Sequence, residues 1–175
     1  MLEVELFTTD HVIRGYVETG GERLSDMLNN RKESSVLITQ AYMMRLLNVG
    51  KTAPARIFEA CIEKRFILFA RPVAQDLTHK SLFRRTTRQI YRIAVNVPAF
   101  EIQGSIHTTG SLDIQRILIE RPEEFIPLTS ATARYMLNPR LVIQSGILVF
   151  NKSHVSLIAE ILADDAPRGE ASTTP

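Results

Sequence analysis

Five basic side chains cluster near the middle of this 175-residue chain, in LTHKSLFRRTTRQIYRIAV at residues 77 to 95. They are Lys80, Arg84, Arg85, Arg88 and Arg92. The chain has a net charge of +2, so the residues outside this cluster carry a net charge of about −3, and the positive charge is segregated. On a helix, Arg84, Arg88 and Arg92 would share one face. Such a face could contact the phosphates of nucleic acid, an anionic membrane surface or an acidic partner protein. Alternatively, the stretch is a solvated connector whose arginines pair with nearby acidic side chains.

The other residues that could carry catalysis do not form a recognisable arrangement. His11, His79, His107 and His154 have no spacing that would join them in one site, and a nucleophile needs a base held beside it. Cys61 is the single cysteine, so it can form neither an internal disulfide nor a multi-cysteine zinc site, and we expect it to be a small buried apolar residue. We therefore expect a protein that is not an enzyme and has no cofactor, no metal and no small-molecule substrate.

Composition predicts a globular protein with a buried core. Hydrophobic residues make up 45% of the chain and charged residues 23%, as in ordinary soluble domains. The opening MLEVELFTTDH lacks the basic flank and apolar core of a signal peptide. No apolar run approaches the roughly 18 to 20 residues that span a bilayer. We expect a cytoplasmic protein without a membrane span.

Two stretches that lie about ninety residues apart have nearly the same pattern. IRGYVETGGERLSDMLN begins at residue 13 and IQGSIHTTGSLDIQRIL at residue 102, which places Gly15 on Gly104. Farther along, VLITQA at 36 to 41 matches IPLTSA at 126 to 131, and places Thr39 on Thr129. RFILFARPVAQDL at 65 to 77 then falls on GILVFNKSHVSLI at 146 to 158. The agreement in order and pattern predicts a duplicated unit.

Periodicity predicts that each unit consists mostly of strands. LEVELFT and HVIRGYVE alternate apolar and polar residues, which gives one buried and one wet face. Gly15 and Gly104 each interrupt a strand, which indicates a bulge, a bend or a close backbone approach. LSDMLN fits a single helical turn, and the second halves of SSVLITQAYMMRLL and EFIPLTSATARYML have helix-compatible residues. RFILFA and GILVF are short apolar runs typical of buried strands.

The order of these strands, with IRG in the second, LIT.A in the third and GILVFNKSHVSLI at the end, resembles the Sm-like small β-barrels. It also resembles a family of short bacterial β-domains of unknown function, single or tandem. The resemblance covers roughly residues 2 to 78 and 90 to 160. It implies assembly through paired sheet edges and, for many Sm-like proteins, binding of single-stranded RNA. Asp26 and Asn29 stand near the family's RNA-contacting Asp and Asn, but FARP and FNKS replace the expected Arg-Gly pair.

The sequence therefore predicts a mainly β protein with short helices, organised as two tandem, strongly bent β-barrel-like units. We expect the first unit at residues 1–78, a basic connector at 79–92, the second unit at 93–163 and a disordered tail at 164–175. The expected function is a non-enzymatic binding and assembly module that forms a homo-oligomer or contacts a protein partner. The alternative is an Sm-like protein that binds single-stranded RNA or DNA through the five basic residues of the connector.

Overall fold

The computed structural model describes residues 1–73 and 89–161, which are called here the N-terminal half and the C-terminal half. In the N-terminal half, strands and one short helix follow in a simple order. They are β1 (Leu2–Phe7), β2 (His11–Val17), α1 (Leu24–Asn29), β3 (Ser35–Arg45), β4 (Ala55–Glu63) and β5 (Phe69–Pro72). Short 3₁₀ helices at Leu46–Asn48 and Lys64–Phe66 follow β3 and β4.

The C-terminal half has the same order of strands and helix. It contains β6 (Gln89–Val97), β7 (Phe100–Thr108), α2 (Ile114–Ile119), β8 (Phe125–Tyr135), β9 (Val142–Asn151) and β10 (Leu157–Glu160). A 3₁₀ helix at Lys152–His154 again separates the last two strands. All five strands, the α-helix and the 3₁₀ helix before the last strand recur in the same order, whereas the 3₁₀ helix Leu46–Asn48 has no counterpart after β8.

Ten strands of the described residues form one antiparallel sheet in the order β10-β6-β7-β8-β9-β5-β1-β2-β3-β4. Each half contributes five neighbouring strands, and the halves meet where β9 pairs with β5. The predicted mainly β class with short helices is confirmed. The predicted closure is not, because the described strands form one continuous sheet that does not close on itself.

Alternating apolar side chains make the strands two-faced and produce two buried clusters. In β1, Val4 and Leu6 are buried, as the LEVELF pattern predicts. One cluster is drawn mostly from the N-terminal half but includes Phe125 and Val149 of the other half. The second cluster is drawn mostly from the C-terminal half but includes Phe7, among others, from the first. Each half therefore completes its core with side chains of the other.

Both repeat glycines lie where the neighbouring strand approaches closely, and the approach is tighter at Gly15 than at Gly104. The β2·β3 register shifts between Arg14 and Tyr16, and the β7·β8 register shifts at the corresponding place around Gly104. A Cβ on Gly15 would stand 2.8 Å from the carbonyl oxygen of Thr39, and a Cβ on Gly104 would stand 3.0 Å from the Leu128 Cβ. The bulge and close approach expected at a strand-interior glycine are therefore present in both strands.

The two repeat threonines make the same hydrogen bond in the two halves. Thr39 Oγ1 donates to the Tyr16 carbonyl at 3.4 Å, and Thr129 Oγ1 donates to the Ser105 carbonyl at 3.4 Å. The residue after each threonine has a positive φ, 49° at Gln40 and 48° at Ser130. The threonine hydroxyl thus ties the bulged strand to its neighbour beside a left-handed residue.

Several sequence-based expectations are wrong in detail. The second halves of SSVLITQAYMMRLL and EFIPLTSATARYML are predicted to favour helix, but β3 and β8 continue to Arg45 and Tyr135, because pairing with both neighbours overrides local helix propensity. Leu46 and Leu47, at the end of the first stretch, lie in a 3₁₀ helix. RFILFA is a 3₁₀ helix followed by the start of β5, so the short helix at Lys64 corresponds to the one at Lys152, and not to Gly146. Residues 89–92, assigned to the connector, begin β6. Cys61 is exposed on β4 and not buried.

Replacing Gly15 with Ala is expected to destabilise the fold by about 1–3 kcal/mol, because the added Cβ would meet backbone atoms that cannot rotate away. Gly110 is a matched control, since a Cβ added there meets nothing within 4 Å. Urea unfolding followed by circular dichroism would measure both variants. Equal midpoints for the Gly15 variant and the wild type would show that the close approach at β3 is not a constraint.

Candidate interaction edges

The junction between the halves is a short antiparallel pairing of β5 with β9. Phe69 lies opposite Phe150 and Ala70 opposite Val149, and the Asn151 amide donates to the Leu68 carbonyl at 2.8 Å. Two residue pairs are few for a strand pairing, so side chains around them must contribute to holding the halves together. Several groups of contacts do so.

Asn151 extends the pairing from a buried position. Its Nδ2 donates to the Ile67 carbonyl at 3.1 Å, and its Oδ1 accepts from the Ser153 amide at 3.0 Å. The side chain is 1% exposed, so these partners satisfy polar atoms that water does not reach. Close by, His154 Nε2 lies 2.6 Å from the Arg65 carbonyl oxygen. This amide and imidazole continue the strand pairing into the two 3₁₀ helices.

Asn29 bridges the halves at the end of α1. Its Oδ1 accepts from the amides of Glu124 and Phe125, both at 2.9 Å, and its Nδ2 donates to the Phe125 carbonyl at 2.8 Å. The side-chain amide therefore replaces a strand partner for the first residue of β8. Asp26, the other residue suggested by the Sm-like resemblance, is exposed and accepts only from the neighbouring Ser25 hydroxyl. Asp26 and Asn29 thus have different hydrogen-bond partners, within α1 and across the halves respectively.

Aromatic rings fill the apolar side of the junction. Phe7 stacks on Phe69 with ring centroids 4.3 Å apart, and Phe69 meets the edge of Phe100 at 4.9 Å. Tyr135 lies against Phe100 at 4.9 Å, and burial raises the pKa of its hydroxyl. Because Phe7 and Phe69 come from one half and Phe100 and Tyr135 from the other, these rings form an apolar contact between the halves.

Ion pairs lie on β1, β2 and β5 beside the junction. Arg71 Nε donates to Glu5 at 2.7 Å, and Arg71 Nη1 donates to the Gln144 carbonyl at 2.9 Å across the two halves. On the next strand, Arg14 donates to Glu3 at 2.9 Å, a hydrogen bond that raises the Arg14 pKa. A groove of about 620 Å³ lies above these pairs. Both arginines already have carboxylate partners, so the groove floor offers paired rather than free positive charge.

Lys64 contributes a buried cation beside the junction. Its Nζ donates to the Met27 carbonyl at 3.1 Å and to the Asn30 carbonyl at 2.9 Å, at the end of α1. Burial lowers the Lys64 pKa, because the charged form loses hydration. Lys152, the counterpart in the other half, donates to the Arg121 carbonyl just beyond α2. The same cation therefore closes the end of the same short helix in both halves.

The outer strands of the sheet are β4 and β10, and neither has a second strand partner among the described residues. Their pairing registers define how they correspond to the junction strands. On β4, Ile62 lies opposite Val36, as Phe150 of β9 lies opposite Ile126, so Ile62 corresponds to Phe150. On β10, Leu157 lies opposite Asn96, as Phe69 of β5 lies opposite Phe7, so Leu157 corresponds to Phe69. The β4 edge is therefore the counterpart of β9, and the β10 edge is the counterpart of β5.

The backbone groups on these outer edges point away from the sheet at defined residues. The Lys64 amide donates to the carbonyl of Ser34, which directly precedes β3. Successive residues of a strand point their N–H and C=O groups to opposite sides, so those of Cys61, three residues before Lys64, point away from β3. Just after β10, the Ile161 amide donates to the Arg92 carbonyl of β6. By the same alternation, the N–H and C=O groups of Ile158, three residues earlier, point away from β6. Cys61 and Ile158 correspond to Val149 and Ala70, the residues paired at the junction.

Of the five basic residues of the connector, the structure describes Arg92 alone. Lys80, Arg84, Arg85 and Arg88 lie outside the described residues. Arg92 is exposed in β6, and its Nη1 donates to the Ser130 carbonyl at 3.2 Å. Within residues 1–73 and 89–161, no group of three or more His, Cys, Asp or Glu side chains could hold a metal ion. The same residues contain no helix that is long and apolar enough to cross a membrane.

No family model matches this sequence, and neither curated proteins nor solved structures gave a match. Sequence reasoning missed the cross-half contacts of Asn151 and Arg71, because strand pairing between distant segments leaves no short motif. The only signal was that ILVF and ILFA are both apolar at every position, as expected for strands that are covered on both faces.

Changing Asn29 to Ala is expected to destabilise the chain by about 1–3 kcal/mol, because backbone groups of Glu124 and Phe125 would lose their partner. Asn30→Ala is the matched control, since the Asn30 side chain contacts only the nearby Lys32 amide. Thermal unfolding of the two variants would separate the effects. If both variants unfold together with the wild type, the Asn29 bridge does not hold the halves.

Proposed function

We propose that this protein is a non-enzymatic assembly module whose copies join head to tail, with β4 of one copy pairing with β10 of the next. The observation that carries the proposal is the β5·β9 junction. The chain already contains one pairing of this kind, and its two outer edges are the counterparts of the two strands that form it. A single chain thus presents both sides of a second, similar interface.

The junction defines the expected register between copies. The junction pair Phe69 and Phe150 corresponds to Leu157 of one copy opposite Ile62 of the next. The junction pair Ala70 and Val149 likewise corresponds to Ile158 of one copy opposite Cys61 of the next. Leu157 is 50% exposed and Ile62 is partly buried, so pairing would cover apolar surface. Two pairs farther along, Glu160 would face Glu59, which limits the ladder to about the length seen at β5·β9.

Such an interface joins two different surfaces, so each added copy leaves one β4 edge and one β10 edge available. Head-to-tail interfaces give a ring if the rotation closes and a filament if it does not. The resemblance to Sm-like proteins, in which sheet edges pair between subunits, agrees with this proposal. An assembly would then present repeated surfaces to a protein partner.

Cys61→Pro is expected to abolish self-association, because proline removes a backbone donor that points out from β4 and none that bonds to β3. Cys61→Ala is the matched control, since it keeps the donor and removes the thiol. Sedimentation velocity from about 1 to several hundred micromolar, with reducing agent, would give the size distribution of each variant, and circular dichroism would check that each is folded.

Concentration-dependent association of the wild type and Cys61→Ala, with a monomeric and folded Cys61→Pro variant, is the expected result. A wild-type chain that sediments as a monomer over the whole range would refute the assembly proposal. Association that Cys61→Pro leaves unchanged would show that copies join through another surface.

A second candidate function is binding of single-stranded RNA or DNA, and the segregation of basic residues at 80–92 favours it. We expect a labelled random-sequence RNA oligonucleotide to bind at low salt and to be released as salt rises, because released counterions supply the affinity. The triple variant Arg84→Glu, Arg85→Glu, Arg88→Glu should lose this binding, and fluorescence anisotropy would measure it. Equal binding by the triple variant and the wild type would exclude the basic cluster as the contact.

A further inference from the structure

The two sides of the junction differ in side-chain size from their counterparts on the outer edges. At the junction, Glu5 and Arg71 lie opposite each other on β1 and β5 and form an ion pair. At the same register on β6 and β10, Ala94 and Ala159 lie opposite each other. The place filled by a glutamate and an arginine in the N-terminal half is therefore filled by two methyl groups in the C-terminal half.

On β9 and β4, the strands across from these positions, the difference in side-chain size is reversed. Extending the β5·β9 register by one pair brings Arg71 opposite Leu148, and Gly146 lies two residues before Leu148 on β9. The counterpart of Gly146 on β4 is Phe58, because Ala131 pairs with Ser145 as Ala41 pairs with Ile57. At the junction, the large Arg71 side chain thus has a glycine diagonally across from it on β9, whereas at the outer edges the small Ala159 corresponds to Arg71 and Phe58 corresponds to the glycine.

Phe58 also has an unusual environment for an aromatic residue in a strand. Its side chain is 87% exposed, the largest value among the exposed large hydrophobic residues of the described chain. An exposed phenylalanine on an outer strand adds apolar surface where aggregation is a risk, so its burial against a second molecule is favourable. Ala94 and Ala159 are partly buried and leave a shallow apolar surface beside β10.

We infer that Phe58 of one copy packs across Ala94 and Ala159 of the next copy and selects β10 as the partner of β4. This inference rests on the proposed β4·β10 pairing and adds the residue that determines its specificity. The Arg71 side chain would obstruct Phe58 at the junction position, whereas the alanine pair accommodates it. The size difference therefore directs β4 to the end of another chain and not to β5.

The inference is tested in the full-length chain by sedimentation velocity over a concentration series. Phe58→Ala should weaken association roughly tenfold to hundredfold, the loss expected when a buried aromatic contact is removed. Leu47→Ala is the matched control. Leu47 is 51% exposed, and its counterpart Leu137 is 64% exposed although β9 of the same half is already paired with β5, so we do not expect the corresponding pairing of β4 to cover Leu47.

A size exchange gives a second, independent readout. Ala159→Arg alone should disrupt association, because its guanidinium would occupy the position of the phenyl ring. Adding Ala94→Glu and Phe58→Gly to that variant rebuilds the arrangement seen at Glu5, Arg71 and Gly146 and should restore association. Circular dichroism would confirm that each variant is folded.

The outcomes separate this inference from the assembly proposal. If Cys61→Pro abolishes association while Phe58→Ala and Leu47→Ala both leave it unchanged, the edges pair but Phe58 does not select them. If the exchanged triple variant stays as weak as Ala159→Arg, the size complementarity is also refuted. A monomeric wild type would overturn both the assembly proposal and the role of Phe58.

Discussion

The pairing of β5 with β9 is the contact on which the rest of the structure depends. It converts two five-stranded segments into one sheet and brings Phe69 between Phe7 and Phe100. Few backbone hydrogen bonds are available in so short a pairing, and each contributes only about 0.5–1.5 kcal/mol net. The aromatic cluster, Asn29 and Asn151 surround it and exclude water, so that the short pairing and the shared core form together.

Each half has too few residues to bury a large core alone, and the exchange of side chains between the clusters compensates for this. Phe125 and Val149 pack into the cluster of the N-terminal half, while Phe7 packs into that of the C-terminal half. Separating the halves would expose both clusters at once. The two halves should therefore unfold cooperatively, although each has a complete set of five strands.

Sequence periodicity predicted the strand-rich class, the recurrence around Gly15 and Gly104 and the short turn of helix at α1, because these depend on local alternation and on glycine geometry. It failed in the second half of β3 and β8, where Ala, Met and Arg favour helix locally but pairing on both sides imposes a strand. It did not identify the role of Asn29, since an asparagine in the last turn of a short helix is equally compatible with capping that turn. The partner of Asn29 lies 96 residues away at Phe125, and no local pattern encodes that distance.

A sheet joined in this way still has two outer strands whose free edges could pair with another strand. Joining β9 to β5 covers one edge from each half and leaves the opposite edge of each half on the outside, so the number of outer edges remains the same as in a single half. Charged residues such as Glu59 and Glu63 on β4 and Glu160 on β10 make indiscriminate pairing unfavourable. Phe58 acts against this protection, because it adds apolar surface at the same edge. If Phe58 fits the small apolar surface at Ala94 and Ala159 as we propose, the charges that disfavour most partners and this aromatic side chain together favour a selective partner over a non-specific one.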